Sequence, residues 1–325
     1  MIDFRYHLVS IVSIFLALAV GIVLGAGPLK EDLGTTLTQE VTKLRDDKTA
    51  LRTELDAANK ATEARDAFAA AGNAKLLAGR LDGRAVTMVV LPGADSAVVK
   101  STSGSLTAAG AIIGSTVTVN DSWTDPNADK KAARTALGDR LAEVLKLEPS
   151  TSGQTIDRVL AAATVEAVPS GSGVTNLGST SSSKAAASVI EELRKADLIS
   201  VTPDNAARTT AAVIVGAPVS KGNPAEQKAR AEAYAALAAA FDSASSGAVL
   251  ASNVGSTTVQ GESIVAAARS DSTISKGLST VDDAGVPMGQ ASIVLALEEQ
   301  YAGGAGQYGL AGDAASAFPA LEGTK

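Results

Sequence analysis

Two pairs of neighbouring carboxylates, Asp282–Asp283 and Glu191–Glu192, are the residues best suited by type and spacing to acid–base chemistry. Two carboxyl groups can act as general acid and general base when their surroundings separate their pKa values. Adjacent acidic residues are more often solvated surface or a helix cap. The pairs alone therefore do not predict catalysis.

Other chemistry is limited by composition. The 325 residues contain one histidine, His7, and no cysteine, so neither a Ser-His-Asp triad in the body of the chain nor a cysteine nucleophile can be assembled. Soft ligands for copper are restricted to His7 and the three methionines, Met1, Met88 and Met288. Met88 falls in an apolar segment and is interpreted as core. We expect no catalytic residue, no cofactor and no metal site, and we predict that the chain is not an enzyme.

The sequence also gives little support for a phosphate-binding loop. The turn after the first predicted strand contains one glycine, Gly93, and the chain has neither a G-x-G-x-x-G nor a Walker A motif. The formal net charge of −7 disfavours nucleic acid as a partner, because binding to nucleic acid requires a basic surface.

The element that must position everything else is an apolar segment, residues 8–27, which follows a short stub, residues 1–7. It has no ionisable side chain and is long enough to cross the hydrocarbon core of a bilayer as a helix. Ala17, Gly21 and Gly25 recur every four residues, a small-residue face on which two membrane helices can pack closely. The segment predicts a signal-anchor helix in the cell membrane.

A cleaved signal peptide is the alternative, because Gly25, Ala26 and Gly27 are small residues of the kind found at cleavage sites. The positive-inside rule barely distinguishes the two orientations, since only Arg5 and Lys30 flank the segment closely. The short stub and the long domain favour a C-terminal domain outside the cytoplasm.

Residues 30–72 predict a coiled-coil stalk. Apolar residues alternate at intervals of four and three, which is the heptad spacing of a seam between two helices. A parallel homodimer is expected because a membrane anchor holds two copies in the same direction; the alternative is an antiparallel hairpin on the body of the same chain. The predicted seam comprises Leu37, Val41, Leu44, Lys48, Leu51, Leu55 and Ala58.

Residues 84–302 alternate apolar segments with helical patterns, which predicts an α/β layered, Rossmann-like domain with a mostly parallel sheet and no nucleotide motif. Residues 150–183 are rich in serine and glycine and predict an exposed excursion with one short helix. Residues 72–83 are interpreted as a glycine-punctuated joint, and residues 303–325 as a tail without periodicity.

The opening MIDFRYHLVSIVSIFLALAVGIVLGAGPL and the later segment STVDDAGVPMGQASIVLALEEQYAGGAGQYG resemble one actinobacterial family, named after the mycobacterial copper transporter B (MctB). The resemblance extends over the whole chain in the same order of anchor, coiled coil, α/β body and G-Q-Y-G end. The matching motif positions are Asp3, Arg5, Tyr6, His7, Asp282, Gly289, Gln290, Gly306, Gln307, Tyr308 and Gly309.

The resemblance implies two competing functions. One is copper efflux or an outer-membrane channel activity, from which the family takes its name. The other is a role in cell separation, in which SteB-like relatives pair with a SteA-like membrane protein and engage a peptidoglycan hydrolase. A stalk without catalytic groups favours the second function, a dimeric extracytoplasmic scaffold or regulator.

Overall fold

The computed structural model of the chain describes residues 4–25, 29–148, 155–167, 184–203, 207–253 and 261–321. The chain divides into two compact units, Met1–Arg65 and Asp66–Lys325. Asp3, the end of the predicted anchor and most of the serine-rich segment lie outside the described residues.

The first unit contains helix α1, Phe4–Gly25, and most of helix α2, Leu29–Leu77. Of the helices that the structure describes, α1 is the one long and apolar enough to cross a membrane. Its 22 residues agree with the predicted anchor.

Helix α2 extends beyond residue 72, the predicted end of the stalk, and continues through Gly72 to Leu77. A glycine inside a helix costs about 1 kcal/mol relative to alanine. Packing in the second unit offsets that cost: Leu77 is buried, and Asn73 Nδ2 donates a hydrogen bond of 2.7 Å to the carbonyl of Pro287.

The described part of the second unit contains a seven-stranded sheet in the order β3-β2-β1-β4-β5-β6-β7. Neighbouring strands are parallel except β2 and β3, which are antiparallel, so the predicted mostly parallel sheet is confirmed. The strands are β1 Ala85–Val90, β2 Ile112–Val119, β3 Ile199–Thr202, β4 Ala211–Gly216, β5 Ala248–Ser252, β6 Ser279–Val281 and β7 Gln307–Tyr308.

Helices lie on both faces of this sheet. Residues of α4 to α8 share one buried cluster, and residues of α3, α9 and the end of α2 share the other. A short 3-10 helix, Asp121–Thr124, follows β2. The helices are α3 Ser96–Ala108, α4 Ala128–Leu145, α5 Thr155–Thr164, α6 Lys184–Lys195, α7 Pro224–Ala244, α8 Ile264–Ser270 and α9 Pro287–Tyr301.

Local sequence explains where these helices begin. Asn223 and Glu226 form a reciprocal capping box at α7, with Pro224 in the first turn, where its missing N–H costs nothing. The side chain of Asn127 accepts hydrogen bonds from the amides of Asp129 and Lys130 and so caps the start of α4.

The helix inside the serine-rich excursion was expected to be exposed, and this prediction is wrong. Seven of the ten residues of α5 are buried, and α5 packs against α4, α6 and α7. Its strongly amphipathic pattern fits a helix that buries one face in the core. The two-residue strand β7 was also not predicted, since two residues cannot show a period.

Candidate functional site

The family-like motif residues of the C-terminal half gather around the ends of β6 and β7. β6 and β7 are parallel, with Thr280 opposite Gln307 and Val281 opposite Tyr308. Asp282 follows β6 directly, and Gly306 and Gly309 flank β7. The structure thus brings together two segments that are separate in the sequence.

The side chain of Gln307 joins β7 to the loop before β6. Its Nε2 donates to the carbonyls of Ser275 at 2.9 Å and Leu278 at 3.1 Å, and its Oε1 accepts from Thr280 Oγ1. Tyr308 donates its hydroxyl proton to Glu299 of α9. Burial raises the pKa of Tyr308, and the Glu299 carboxylate raises it further, so the phenol stays protonated.

Asp282 lies at the centre of this arrangement. Its Oδ2 is 2.8 Å from Nη1 of Arg269 on α8, and its Oδ1 accepts a hydrogen bond of 2.8 Å from the amide of Leu310. The amide of Ala311 donates to the same carboxylate. Every oxygen of Asp282 is therefore occupied in holding the segment after β7.

Gly309 and Gly306 allow the close approach that these contacts require. Gly309 has φ +133°, and a Cβ there would lie 2.2 Å from Asp282 Oδ1. A Cβ at Gly306 would lie 2.1 Å from the hydroxyl oxygen of Tyr308. The G-Q-Y-G motif therefore fixes this segment against β6 and α9.

Asp283 has different surroundings from its neighbour. It is buried, and neither carboxylate oxygen has a hydrogen-bond partner. Desolvation, with a smaller contribution from the charge of Asp282, raises the pKa of Asp283 to about 6. The expectation that the pair is solvated surface is wrong.

Gly289 and Gln290 lie in the first turn of α9, next to Asp283. A Cβ at Gly289 would lie 2.0 Å from the carbonyl oxygen of Asp283, which explains the glycine. Gln290 Nε2 donates to the carbonyl of Ala284 and, at 3.2 Å, to Thr102 Oγ1 of α3. These motif residues connect the loop after β6 to α3 and α9.

The second carboxylate pair forms ordinary surface ion pairs. Glu192 pairs with Arg140 at 3.2 Å and with Lys195 at 3.3 Å, and these charges lower its pKa. Glu191 lies 3.7 Å from Arg194. A general acid at neutral pH needs a raised pKa, and the pKa of Glu192 is lowered instead.

The position where a doubly wound sheet usually binds a ligand lies between β1 and β4, where the strand order reverses. Here Gly93 faces Ala217, and a Cβ at Gly216 would lie 2.3 Å from Ile264 and 3.0 Å from Leu91. Apolar side chains therefore pack closely around Gly216, which is the last residue of β4.

The predicted dimer seam lies on α2 and is exposed along its whole length. The apolar seam residues Leu37, Val41, Leu44, Leu51 and Leu55 are between 39% and 67% exposed, and Lys48 and Ala58 are exposed too. The spacing continues past Arg65 to Ala69 and Leu76, which are half-buried in the second unit. The apolar face open to another helix therefore ends near Arg65.

The small residues Ala17, Gly21 and Gly25 lie on α1, and nothing lies within 4 Å of a Cβ built at either glycine. Arg5, Tyr6 and His7 occupy the first turns of the same helix and are exposed. Dimer packing along this face stays a prediction.

The soft copper donors in the part of the chain that the structure describes lie on three different elements. No group of three or more histidine, cysteine, aspartate or glutamate side chains there is placed to hold a metal ion. Met88 is buried in β1, as expected, while His7 lies on α1 and Met288 in the first turn of α9.

Sequence reasoning missed Arg269, which contacts β6, β7 and the segment beyond. A signal was present: Arg269 is the single charged residue of the segment IVAAARS, and it precedes the Asp282–Asp283 pair by 13 residues. An arginine in an otherwise apolar helix requires an acidic or carbonyl partner when it is buried.

Comparison with known proteins gives one consistent result. The sequence matches the family described as "Copper transport outer membrane protein, MctB" over residues 1–319. The protein of Mycobacterium tuberculosis named copper transporter MctB is 28% identical over 327 residues, which cover 95% of this chain and 96% of the relative. The Mycobacterium leprae protein of the same name is 29% identical over 337 residues, covering 97% and 98%. The chain described here therefore belongs to the MctB family.

Proposed function

We propose that the chain is a membrane-anchored scaffold of the cell envelope that dimerises through α2 and acts by binding other proteins. The observation that carries the proposal is the exposed apolar stripe from Leu37 to Leu55 on a helix of 49 residues. Burying such a stripe against a second helix is the main source of stability for long amphipathic helices.

Two features favour a parallel pair of identical chains. The heptad spacing contains Lys48 at an a position, where a polar residue selects register and number of strands at some cost in stability. The helix α1 can hold two copies in one bilayer with the same orientation, with Ala17, Gly21 and Gly25 at their contact.

The α/β domain would bind partners outside the cytoplasm: a SteA-like membrane protein, and a peptidoglycan hydrolase that shares helical contacts with α2, in support of cell separation. We also propose that it is not an enzyme. The use of Asp282 in structural contacts with Arg269 and two backbone amides supports this view, because these contacts already occupy both of its oxygens.

Light scattering on the full-length protein in detergent micelles tests the proposal. We expect a dimer, and a monomer after Leu44→Asp with Leu51→Asp, because two buried charges on each helix would face each other across the seam. The matched control is Thr49→Asp with Thr53→Asp, since both hydroxyls bond only to carbonyls of their own helix. A wild-type monomer, or a control that dissociates equally, contradicts the proposal.

Copper handling is the second candidate, and what favours it is the name shared by the family and its mycobacterial relatives. Copper would then be cargo, and His7, Met1 and Met288 would be its soft donors. Titration of Cu(I) into the full-length protein against a competing chelator decides between the candidates. Stoichiometric binding that His7→Gln and Met288→Leu abolish would support copper handling.

A further inference from the structure

We propose that the pocket between the 3-10 helix Asp121–Thr124, α4, α5 and α7 binds a small oxyanion, either a carboxylate or a phosphate. The pocket has a volume of about 220 Å³ and is lined by Trp123, Asp157, Glu226 and three basic residues, Lys131, Arg134 and Arg230. It shares no residue with the dimer seam or with the motif residues around β6, so it does not depend on the proposed scaffold function.

The carboxylates of the pocket already have partners. Asp125 lies 2.7 Å from Lys130 Nζ, and this pairing lowers the pKa of Asp125. Asp157 Oδ1 accepts a hydrogen bond of 3.0 Å from the indole Nε1 of Trp123. Glu226 accepts from the amide of Asn223 in the capping box of α7. Burial lowers the pKa of Arg134, and the nearby charges of Asp125 and Asp157 oppose that shift, so these two carboxylates partly balance this cation.

Arg134 is a buried cation with an unused donor. It is 8% exposed, and its two terminal nitrogens donate to the carbonyls of Ser122 at 3.0 Å and Asp125 at 2.8 Å. Its Nε is buried without a hydrogen-bond partner. A buried N–H without an acceptor is unfavourable, so an acceptor brought by a ligand would be favoured.

Arg230 and Lys131 add two further cationic hydrogen-bond donors to the pocket. Arg230 Nε is also buried without a partner, and among the described residues neither side chain takes part in an ion pair. Asp125 pairs with Lys130, so the three basic residues of the pocket face two further carboxylates, Asp157 and Glu226, which leaves a small local excess of cationic donors for an anion in a chain of net charge −7.

The size of the pocket restricts the ligand. Sites for drug-sized ligands are typically about 300–1,000 Å³, so this pocket suits a smaller anion or the charged end of a longer molecule. The acidic net charge disfavours extended polyanions, whose approach it opposes at long range. A carboxylate or a phosphate accepts several N–H bonds from guanidinium and ammonium groups.

The chain carries its own reporter, because Trp123 is its single tryptophan and lines the pocket. The full-length protein in detergent micelles is titrated with inorganic phosphate and, separately, with acetate, at an ionic strength held constant with chloride. Trp123 emission and the heat of binding are followed in parallel. We expect saturable binding of one anion, and at least tenfold weaker binding in Arg230→Gln and in Lys131→Gln.

The matched control is Lys228→Gln, which removes an exposed charge from α7 two residues before Arg230 and should bind as the wild type does. Saturation by phosphate alone assigns the phosphate class, and saturation by acetate alone assigns the carboxylate class. The absence of saturation with both anions in both readouts overturns the proposal. Equal affinity in Arg230→Gln, Lys131→Gln and wild type, with unchanged urea unfolding, also overturns it.

Discussion

Arg269 Nη1 lies 2.8 Å from Asp282 Oδ2, and each of the two side chains is only 4% exposed. The same guanidinium donates to Thr280 Oγ1 of β6 and to the carbonyl of Tyr308 in β7, and pairs with Asp313. One arginine therefore joins α8, strand β6, the edge strand β7 and the segment that follows β7. The C-terminal motif of the family surrounds this ion pair.

Replacing Arg269 with an uncharged residue should make this edge of the sheet easier to unfold. We expect Arg269→Met to lower the free energy of unfolding by about 3 kcal/mol, because it leaves Asp282 buried with an uncompensated charge. Urea unfolding followed by Trp123 fluorescence measures the change. Arg140→Met is the control, since Arg140 forms an exposed ion pair with Glu192 and should matter little. An equal decrease in the free energy of unfolding in the two variants would show that the buried ion pair stabilises the fold no more than the exposed one.

The glycine beyond β7 gives an independent test of the same contacts. Gly309→Ala should cost about 2–3 kcal/mol, because its φ of +133° is unfavourable for alanine and the new Cβ would lie 2.2 Å from Asp282 Oδ1. Gly312→Ala is the matched control, since nothing lies within 4 Å of a Cβ at that position. Thermal unfolding should separate the two variants, and indistinguishable midpoints would contradict the role given to Gly309.

The raised pKa of Asp283 predicts that the protein becomes less stable as pH rises. Its folded-state pKa of about 6 lies above the ordinary 3.8, so the folded protein binds more protons than the unfolded chain between about pH 4 and pH 6. The free energy of unfolding therefore decreases as pH rises through this range. Asp242, whose pKa burial also raises to about 6, acts in the same direction.

Asp283→Asn removes one of these two contributions. We expect the variant to gain up to about 2 kcal/mol over wild type at pH 7, and to lose that advantage at pH 4. Unfolding by urea at both pH values measures the difference. Asp271→Asn should show no gain at pH 7, because hydrogen bonds from Thr273 lower the pKa of Asp271. A gain for Asp283→Asn that is independent of pH would exclude titration of this carboxylate as its cause.

Much of the fold follows from local sequence signals. Helix α9, Pro287–Tyr301, carries such signals at both ends, because Pro287 suits the first turn and Gly303–Gly304 follow its end. Strands β1 and β4 are apolar segments buried on both faces, as a parallel sheet requires. These signals are carried by neighbouring residues, so a single sequence is enough to recognise them.

The site depends on contacts that no local pattern contains. Arg269 and Asp313 are 44 residues apart, and the strand that brings them together, β7, has two residues. The burial of α5 was missed because serine-rich flanking sequence suggested exposure, while its own apolar face indicated a core helix. The pocket around Arg134 joins residues of four elements and is visible only in three dimensions.

Cysteine cross-linking in membranes tests most directly whether two copies pair in parallel along α2. The chain has no cysteine, so single substitutions report on one position at a time. We expect disulfide-linked dimers from both Leu44→Cys and Leu51→Cys, and none from Thr53→Cys on the outer face of the helix. An antiparallel pair could bring at most one of the two seam positions opposite itself. Failure of both seam variants, or equal cross-linking of Thr53→Cys, would contradict the parallel dimer.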